Sequence, residues 1–188
     1  MINQPYAFSL TGKIRDCGHT KFSCDVCGRE TRFAWIAVSR KSDSDIEIRV
    51  GHECAKLIFN PFSTEKQGGN GDWVDENSAK LIQESKFQRL LSIVLTLKDK
   101  EPSLEFGRII QLIKGKEALS PGQAGLITSL IVKHEMKVDP DVLKVKMNTG
   151  KAKDQLLNMK PWLFKTLHAY LRPNQAKIAE KIHKRKKD

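Results

Sequence analysis

Four cysteines, Cys17, Cys24, Cys27 and Cys54, lie in the first third of a 188-residue chain, and the 134 residues after Cys54 contain none. The most informative stretch is Cys24-Asp25-Val26-Cys27-Gly28. A C-x2-C-G turn aims two sulfurs at one centre, and its glycine takes a backbone conformation that a side chain would oppose. In a reducing compartment, cysteines clustered in this way argue for metal ligation rather than disulfides. Cys54 offers a third sulfur. For the fourth ligand three residues compete. Cys17, with six residues between it and Cys24, completes a four-cysteine site and is the first choice. His52 is second, because an H-x-C pair chelates only from a bent backbone, and His19 is third. Four protein ligands leave no open position for a catalytic water, so the expectation is one structural Zn2+.

Other chemistry is poorly served by these residues. A ββα-metal nuclease needs a strand-end histidine plus an asparagine and a second histidine on the next helix. His52 lies near a strand end, but the next histidine is His134. His134-Glu135 lacks the partner histidine of a zincin helix, and Gly68-Gly69-Asn70-Gly71 has no following Lys-Ser/Thr to make a phosphate loop. The carboxylates are dispersed, mostly beside lysines. The expectation is a protein that is not an enzyme.

Charge supplies the second functional signal. The chain has 33 Lys+Arg against 22 Asp+Glu, a net charge of +11, and residues 117–188 alone hold 15 against 7. Such an excess points to a polyanion, most often nucleic acid, with DNA ahead of RNA here. Lys144, Lys146, Lys151 and Lys153 flank Asn148-Thr149-Gly150, a basic loop whose N–H groups suit a phosphate. After Pro173, Lys177, Lys181 and Lys184 share a helical face at i, i+4 and i+7, with Arg185 following. Nearer the cysteines, Arg29, Arg32, Arg40 and Lys41 are the best candidates for contact. Of the 15 basic residues in the last third, 13 are lysine, which favours salt-sensitive backbone contacts over base readout. Trp162 and Phe164 are expected in the helical core rather than stacked on bases.

The elements that must position these groups differ along the chain. Residues 33–38 are β-prone, 39–45 are turn material, and Ile46, Ile48 and Val50 then alternate with Glu47 and Arg49, which gives a hairpin with a seven-residue connection. Gly51 ends the strand, and Glu53 to Phe59 reads as a short helix stopped at Asn60-Pro61. Knuckle, hairpin, then a ligand in the first helical turn is the order of a treble-clef zinc finger. Residues 61–77 read as a glycine-rich linker, in which Trp73 is the one bulky side chain and is expected to dock. From Ser78 the period is helical. Leu81 to Leu95 give one helix, a second is entered at Pro102, and a third carries Leu126 to Ile131. Weaker helices follow at Val142–Met147, Lys151–Met159, Trp162–Tyr170 and from Asn174. Within this half, Leu119-Ser-Pro-Gly-Gln-Ala matches Leu171-Arg-Pro-Asn-Gln-Ala, and in each the proline suits the first helical position and the glutamine the third.

The combination Cys24-Asp-Val-Cys-Gly, Arg32-Phe-Ala-Trp-Ile-Ala-Val and Val50-Gly-His-Glu-Cys-Ala-Lys-Leu resembles small zinc-finger proteins common in bacteriophage and bacterial genomes. The resemblance covers about residues 15–60 and implies a fold and a phage-like setting more than an activity. A later L-S-x-x-Q helix start in some of those proteins is similar to Leu119-Ser-Pro-Gly-Gln.

The sequence therefore predicts an α+β protein with a zinc-finger domain over 1–60, a linker over 61–77 and an all-α domain over 78–188. Its expected role is that of a non-enzymatic accessory protein, phage-encoded, that binds nucleic acid through backbone phosphates. The alternative is an adaptor or inhibitor of a host protein complex, either the transcription machinery or a defence system. A cytoplasmic setting, nucleoid-associated or in an infected host, is expected for two reasons. The longest uncharged apolar run, Leu90 to Leu97, is far short of the roughly 20 residues of a membrane span. The first residues also lack the basic and apolar regions of a secretory signal.

Overall fold

The computed structural model describes residues 7–40, 46–58, 60, 61, 70–139 and 142–184. The chain divides into two compact units, residues 1–86 and 87–188. Among the described residues it is a mixed α/β protein with seven helices and a small antiparallel sheet.

In the first unit, the three-stranded sheet has the order β1 (Phe8–Asp16), β4 (Phe33–Ser39), β5 (Glu47–Val50). The β-prone run becomes the central strand, and Ala34 to Ala37 are all buried. The expected hairpin is present, with Trp35 opposite Val50 and Ala37 opposite Ile48. On β5 the alternation reads directly: Ile48 and Val50 face the core, Glu47 and Arg49 face out. The pairing of β1 with β4 shifts register between Leu10 and Ile14, where Gly12 takes a φ of 69°. A short second pair, β2 (Phe22–Ser23) and β3 (Glu30–Thr31), carries the C-x2-C turn. Asp16, at the end of β1, is buried but fully engaged: Arg32 donates to both its oxygens at 2.7 and 2.8 Å, and the Gly18 N–H donates at 2.9 Å.

The helix expected over Glu53 to Phe59 is shorter, α1 (His52–Ala55), and continues as turns to Ile58; Phe59 lies outside the described residues. The glycine-rich stretch expected as linker to residue 77 gives way earlier, because α2 (Asn70–Lys100) begins inside it. The reason is tertiary. Val74 is completely buried in the first unit's core, Trp73 packs against that core, and the Trp73 and Trp35 rings meet edge-on at 6.2 Å. Burial of this kind outweighs the roughly 1 kcal/mol that a glycine such as Gly71 costs a helix.

The second unit is built from the rest of α2, α3 (Gly107–Lys114), α4 (Pro121–Lys133), α5 (Gly150–Leu157), α6 (Pro161–His168) and α7 (Pro173–Lys184) around an aliphatic core including Leu90, Leu97, Ile113, Ile127, Leu143 and Leu167. The two matching motifs both start helices at proline, α4 at Pro121 and α7 at Pro173. At α4 the capping box closes: the Gln123 N–H donates to Ser120 Oγ at 3.3 Å and the Ser120 N–H to Gln123 Oε1 at 2.9 Å. Gln175 behaves differently, donating from Nε2 to the Val145 carbonyl at 2.7 Å.

Val142–Met147, expected as a weak helix, is extended. Val145 forms a parallel bridge with Leu119: the Leu119 N–H donates to the Lys144 carbonyl and the Lys146 N–H to the Leu119 carbonyl, each at 2.8 Å. Leu143, Val145 and Met147 are buried while Lys144 and Lys146 are exposed. That alternation has the period of a strand, not of a helix.

Candidate metal centre and basic surface

Hydrogen bonds fix the C-x2-C turn before any ligand is considered. The Cys24 N–H donates to the Arg29 carbonyl at 2.9 Å, the Gly28 N–H to the Cys24 carbonyl at 2.8 Å, and Ser23 Oγ to the Gly28 carbonyl at 2.9 Å. Gly28 adopts a φ of 73°, which explains the glycine in the motif. Asp25 ties the turn to β5: its N–H donates to the Arg49 carbonyl at 3.0 Å, and its carboxylate accepts from the Arg49 N–H at 2.7 Å. Beyond β5, Gly51 caps α1, which carries Cys54.

These elements bring the sulfurs of Cys24, Cys27 and Cys54 within 4.8 Å of one another. None of the four cysteines is in a disulfide. Sulfurs around one tetrahedral zinc sit about 3.8 Å apart, from Zn–S distances near 2.3 Å. The donor set therefore fits a thiophilic metal ion. The Gly51 N–H donates to Cys24 Sγ at 3.4 Å, a bond that favours the thiolate. Burial pushes the Cys24 thiol up, yet the backbone N–H groups of Gly51, Cys27 and Val26 outweigh it, and the net shift is downward. Cys54 goes the other way, pushed up to about 12 by burial and then by the neighbouring sulfurs of Cys27 and Cys24. Three thiols this close cannot all ionise cheaply without a cation between them.

Among the described residues no fourth ligand is grouped with these three. Cys17 follows the end of β1; its N–H donates to the Arg32 carbonyl at 2.9 Å, and its sulfur lies 4.0 Å from the Arg15 carbonyl. His52 is drawn to α2, with Nε2 2.8 Å from Asp75 Oδ1 and Nδ1 3.2 Å from Ser78 Oγ. Lys56 reaches the same Asp75 oxygen at 3.0 Å, and that ammonium, with His52 second, holds the Asp75 carboxyl below its ordinary range. His19 is exposed and outside the cluster. A cleft of about 500 Å³ opens beside the cysteines, lined among others by Arg29, Glu53 and the 62% exposed Leu57.

The predicted nucleic-acid contacts sort into three groups. Lys144, Lys146, Lys151, Lys153, Lys177, Lys181 and Lys184 are all exposed on the second unit, as is Arg29 on the first. The Lys144 ammonium lies 5.7 Å from the centre of the Phe87 ring. Arg32 is only partly accessible and is committed to Asp16. Arg40 is exposed, whereas Lys41 and Arg185 lie outside the described residues. On α7 the apolar face divides: Ile182 is buried and Ile178 is 47% exposed. Trp162, expected in the core, is 58% exposed, while Phe164 packs on the core and stacks on His183 at 4.0 Å. Arg108 was not flagged by the sequence; it sits in the first turn of α3, and only folding brings it near Lys146 and Lys151.

Among the described residues no helix is long and apolar enough to cross a membrane. No protein-family model, curated protein or solved structure matches the chain.

Proposed function

We propose that this chain is a non-enzymatic nucleic-acid-binding protein whose first unit is held by one structural zinc ion and whose second unit engages backbone phosphates. The observation that carries the reading is the state of the lysines. Lys151, Lys153, Lys177, Lys181 and Lys184 are exposed, and none has an ion pair among the described residues. Surface lysines not held in an ion pair keep more of their field for a polyanion. The zinc assignment rests on the three converging thiols, and a turn, a hairpin and a short helix carrying Cys54, in that order, support the treble-clef reading. The resemblance of residues 15–60 to phage and bacterial zinc fingers supports a phage setting.

The test is binding of labelled duplex DNA, single-stranded DNA and RNA by fluorescence anisotropy at several salt concentrations. With about four phosphates neutralised, affinity for the preferred form falls roughly a hundredfold between about 50 and 200 mM salt. No binding of any form at low salt overturns the reading and leaves the protein-adaptor alternative. One zinc per chain by elemental analysis is the matching requirement for the metal.

A further inference from the structure

A cleft of about 550 Å³ in the second unit gathers Arg108 from α3, Lys146 from the extended segment and Lys151 from α5. Arg108 lies 38 residues before Lys146, so only the fold brings it to the other two cations, and the three charges are barely compensated. Among the described residues Arg108 and Lys151 have no ion pair, and Lys146 has only a long contact of 3.9 Å with Glu117, the one carboxylate lining the cleft. Like charges gathered around one concavity repel each other and cost stability unless an anion enters.

The start of α5 lines the same cleft through Thr149, Lys151 and Ala152. At the start of α5 Thr149 Oγ1 satisfies the Ala152 N–H at 3.2 Å, but the N–H groups of Gly150 and Lys151 have no bond among the described residues. A side-chain carbon placed at Gly150 would meet no atom within 4 Å, so the space beside this helix start is open. The start of α4, by contrast, is closed by its own capping box and by Gln155, whose Oε1 accepts from the Gly122 N–H at 3.2 Å. Among the described residues Gln155 Nε2 has no hydrogen bond, and Gln155 lines the cleft wall. The lining offers an arginine fork and two ammonium groups, with the start of α5 beside them, around a space large enough for a phosphate and its substituent.

We propose that this cleft is a phosphate-binding site in which Arg108, Lys146 and Lys151 surround one phosphate group. A planar guanidinium matches phosphate geometry with two parallel bonds, while lysines act as point charges. The phosphate belongs to a nucleic-acid strand or to a free nucleotide. The inference rests on the nucleic-acid reading only for the first of these sources.

The experiment compares the full-length protein with two double variants that lose equal charge. Arg108→Gln/Lys151→Gln empties the cleft of two cations, and Lys177→Gln/Lys181→Gln removes two from α7. All four positions are exposed, so matched melting temperatures are expected; Lys146→Gln repeats the test at a third cleft position. Each protein is titrated with a labelled oligothymidylate strand by anisotropy, and with AMP and inorganic phosphate by calorimetry. The expected result is that the cleft variant weakens strand binding at least about tenfold more than the α7 variant and loses any AMP binding. Equal or smaller weakening by the cleft variant overturns the cleft and leaves the nucleic-acid reading standing. If the wild type ignores the strand but binds AMP or phosphate in a cleft-dependent way, the cleft stands and the nucleic-acid reading falls. Binding of none of the three probes ends both.

Discussion

What separates Cys24 from Cys17 is the backbone beneath each thiol. Cys24 sits in a turn that three hydrogen bonds and a left-handed glycine hold in place, and its sulfur accepts from the Gly51 N–H. Cys17 follows a strand and precedes Gly18, at a φ of 63°, and the chain turns there through the Gly18 N–H bond to Asp16. The C-x2-C-G spacing made Cys24 and Cys27 legible because the motif is local. Cys17 was the natural fourth choice by composition alone, since nothing in the spacing records where a turn sends the chain. Cys24→Ser is therefore expected to abolish stoichiometric metal binding, whereas Cys17→Ser keeps one zinc per chain by elemental analysis. Loss of zinc on Cys17→Ser would restore it as the fourth ligand. Arg32 makes a parallel case. Its charge suggested a phosphate contact, but its guanidinium clamps the buried Asp16. Arg32→Gln should cost stability, roughly 2–3 kcal/mol by chemical denaturation, because a buried carboxylate loses its partner. Strand affinity should be nearly unchanged, and a tenfold loss at equal folded fraction would return Arg32 to the binding surface.

Among the elements, legibility followed the origin of each signal. Helix starts written in local capping chemistry were readable: Ser120, Pro121 and Gln123 predict the start of α4, and the structure closes that box. Ser120→Ala is expected to cost about 1 kcal/mol in a denaturant melt, the usual worth of an N-cap. Elements decided by packing were not readable. Val142–Met147 has too few residues to display a period convincingly, and its extended form depends on Leu119, which is distant in sequence. The early start of α2 likewise depends on a hydrophobic site for Val74 that the glycine-rich sequence around it does not announce. A pH dependence belongs at this scale too. Glu101, just beyond α2, pairs with Lys133 at the end of α4 and lies 2.8 Å from His134 Nε2. The Lys133 ammonium first, and His134 after it, hold the Glu101 carboxyl below its ordinary value of 4.5. The ionised form is favoured in the folded chain, so its contribution is complete above about pH 4.5 and disappears as the pH falls through the lowered value. The wild type should out-melt Glu101→Gln at neutral pH, and the gap should close on acidification. A gap that persists or widens in acid contradicts this assignment.

For the molecule as a whole, charge and cysteines divide along the boundary between the two compact units. Residues 1–86 hold 12 Lys+Arg against 12 Asp+Glu, and residues 87–188 hold 21 against 10. The entire net charge of +11 thus belongs to the second unit, while every cysteine belongs to the first. Each unit also has its own buried cluster, one around Trp35 and one around Leu90 and Ile127. A neutral first unit exerts little long-range pull on a polyanion, whatever Arg29 contributes on contact. Metal removal should therefore damage one unit and spare the function of the other. With a chelator, amide exchange read by mass spectrometry should lose protection over β4 and β5 and keep it over α4, whose core needs no metal. Strand affinity at low salt should stay within about twofold, because the exposed lysines proposed to supply the attraction all lie in the second unit. Should chelation weaken binding more than about tenfold while α4 keeps its protection, the first unit would be a contact surface in its own right, and its neutrality would conceal a local patch around Arg29.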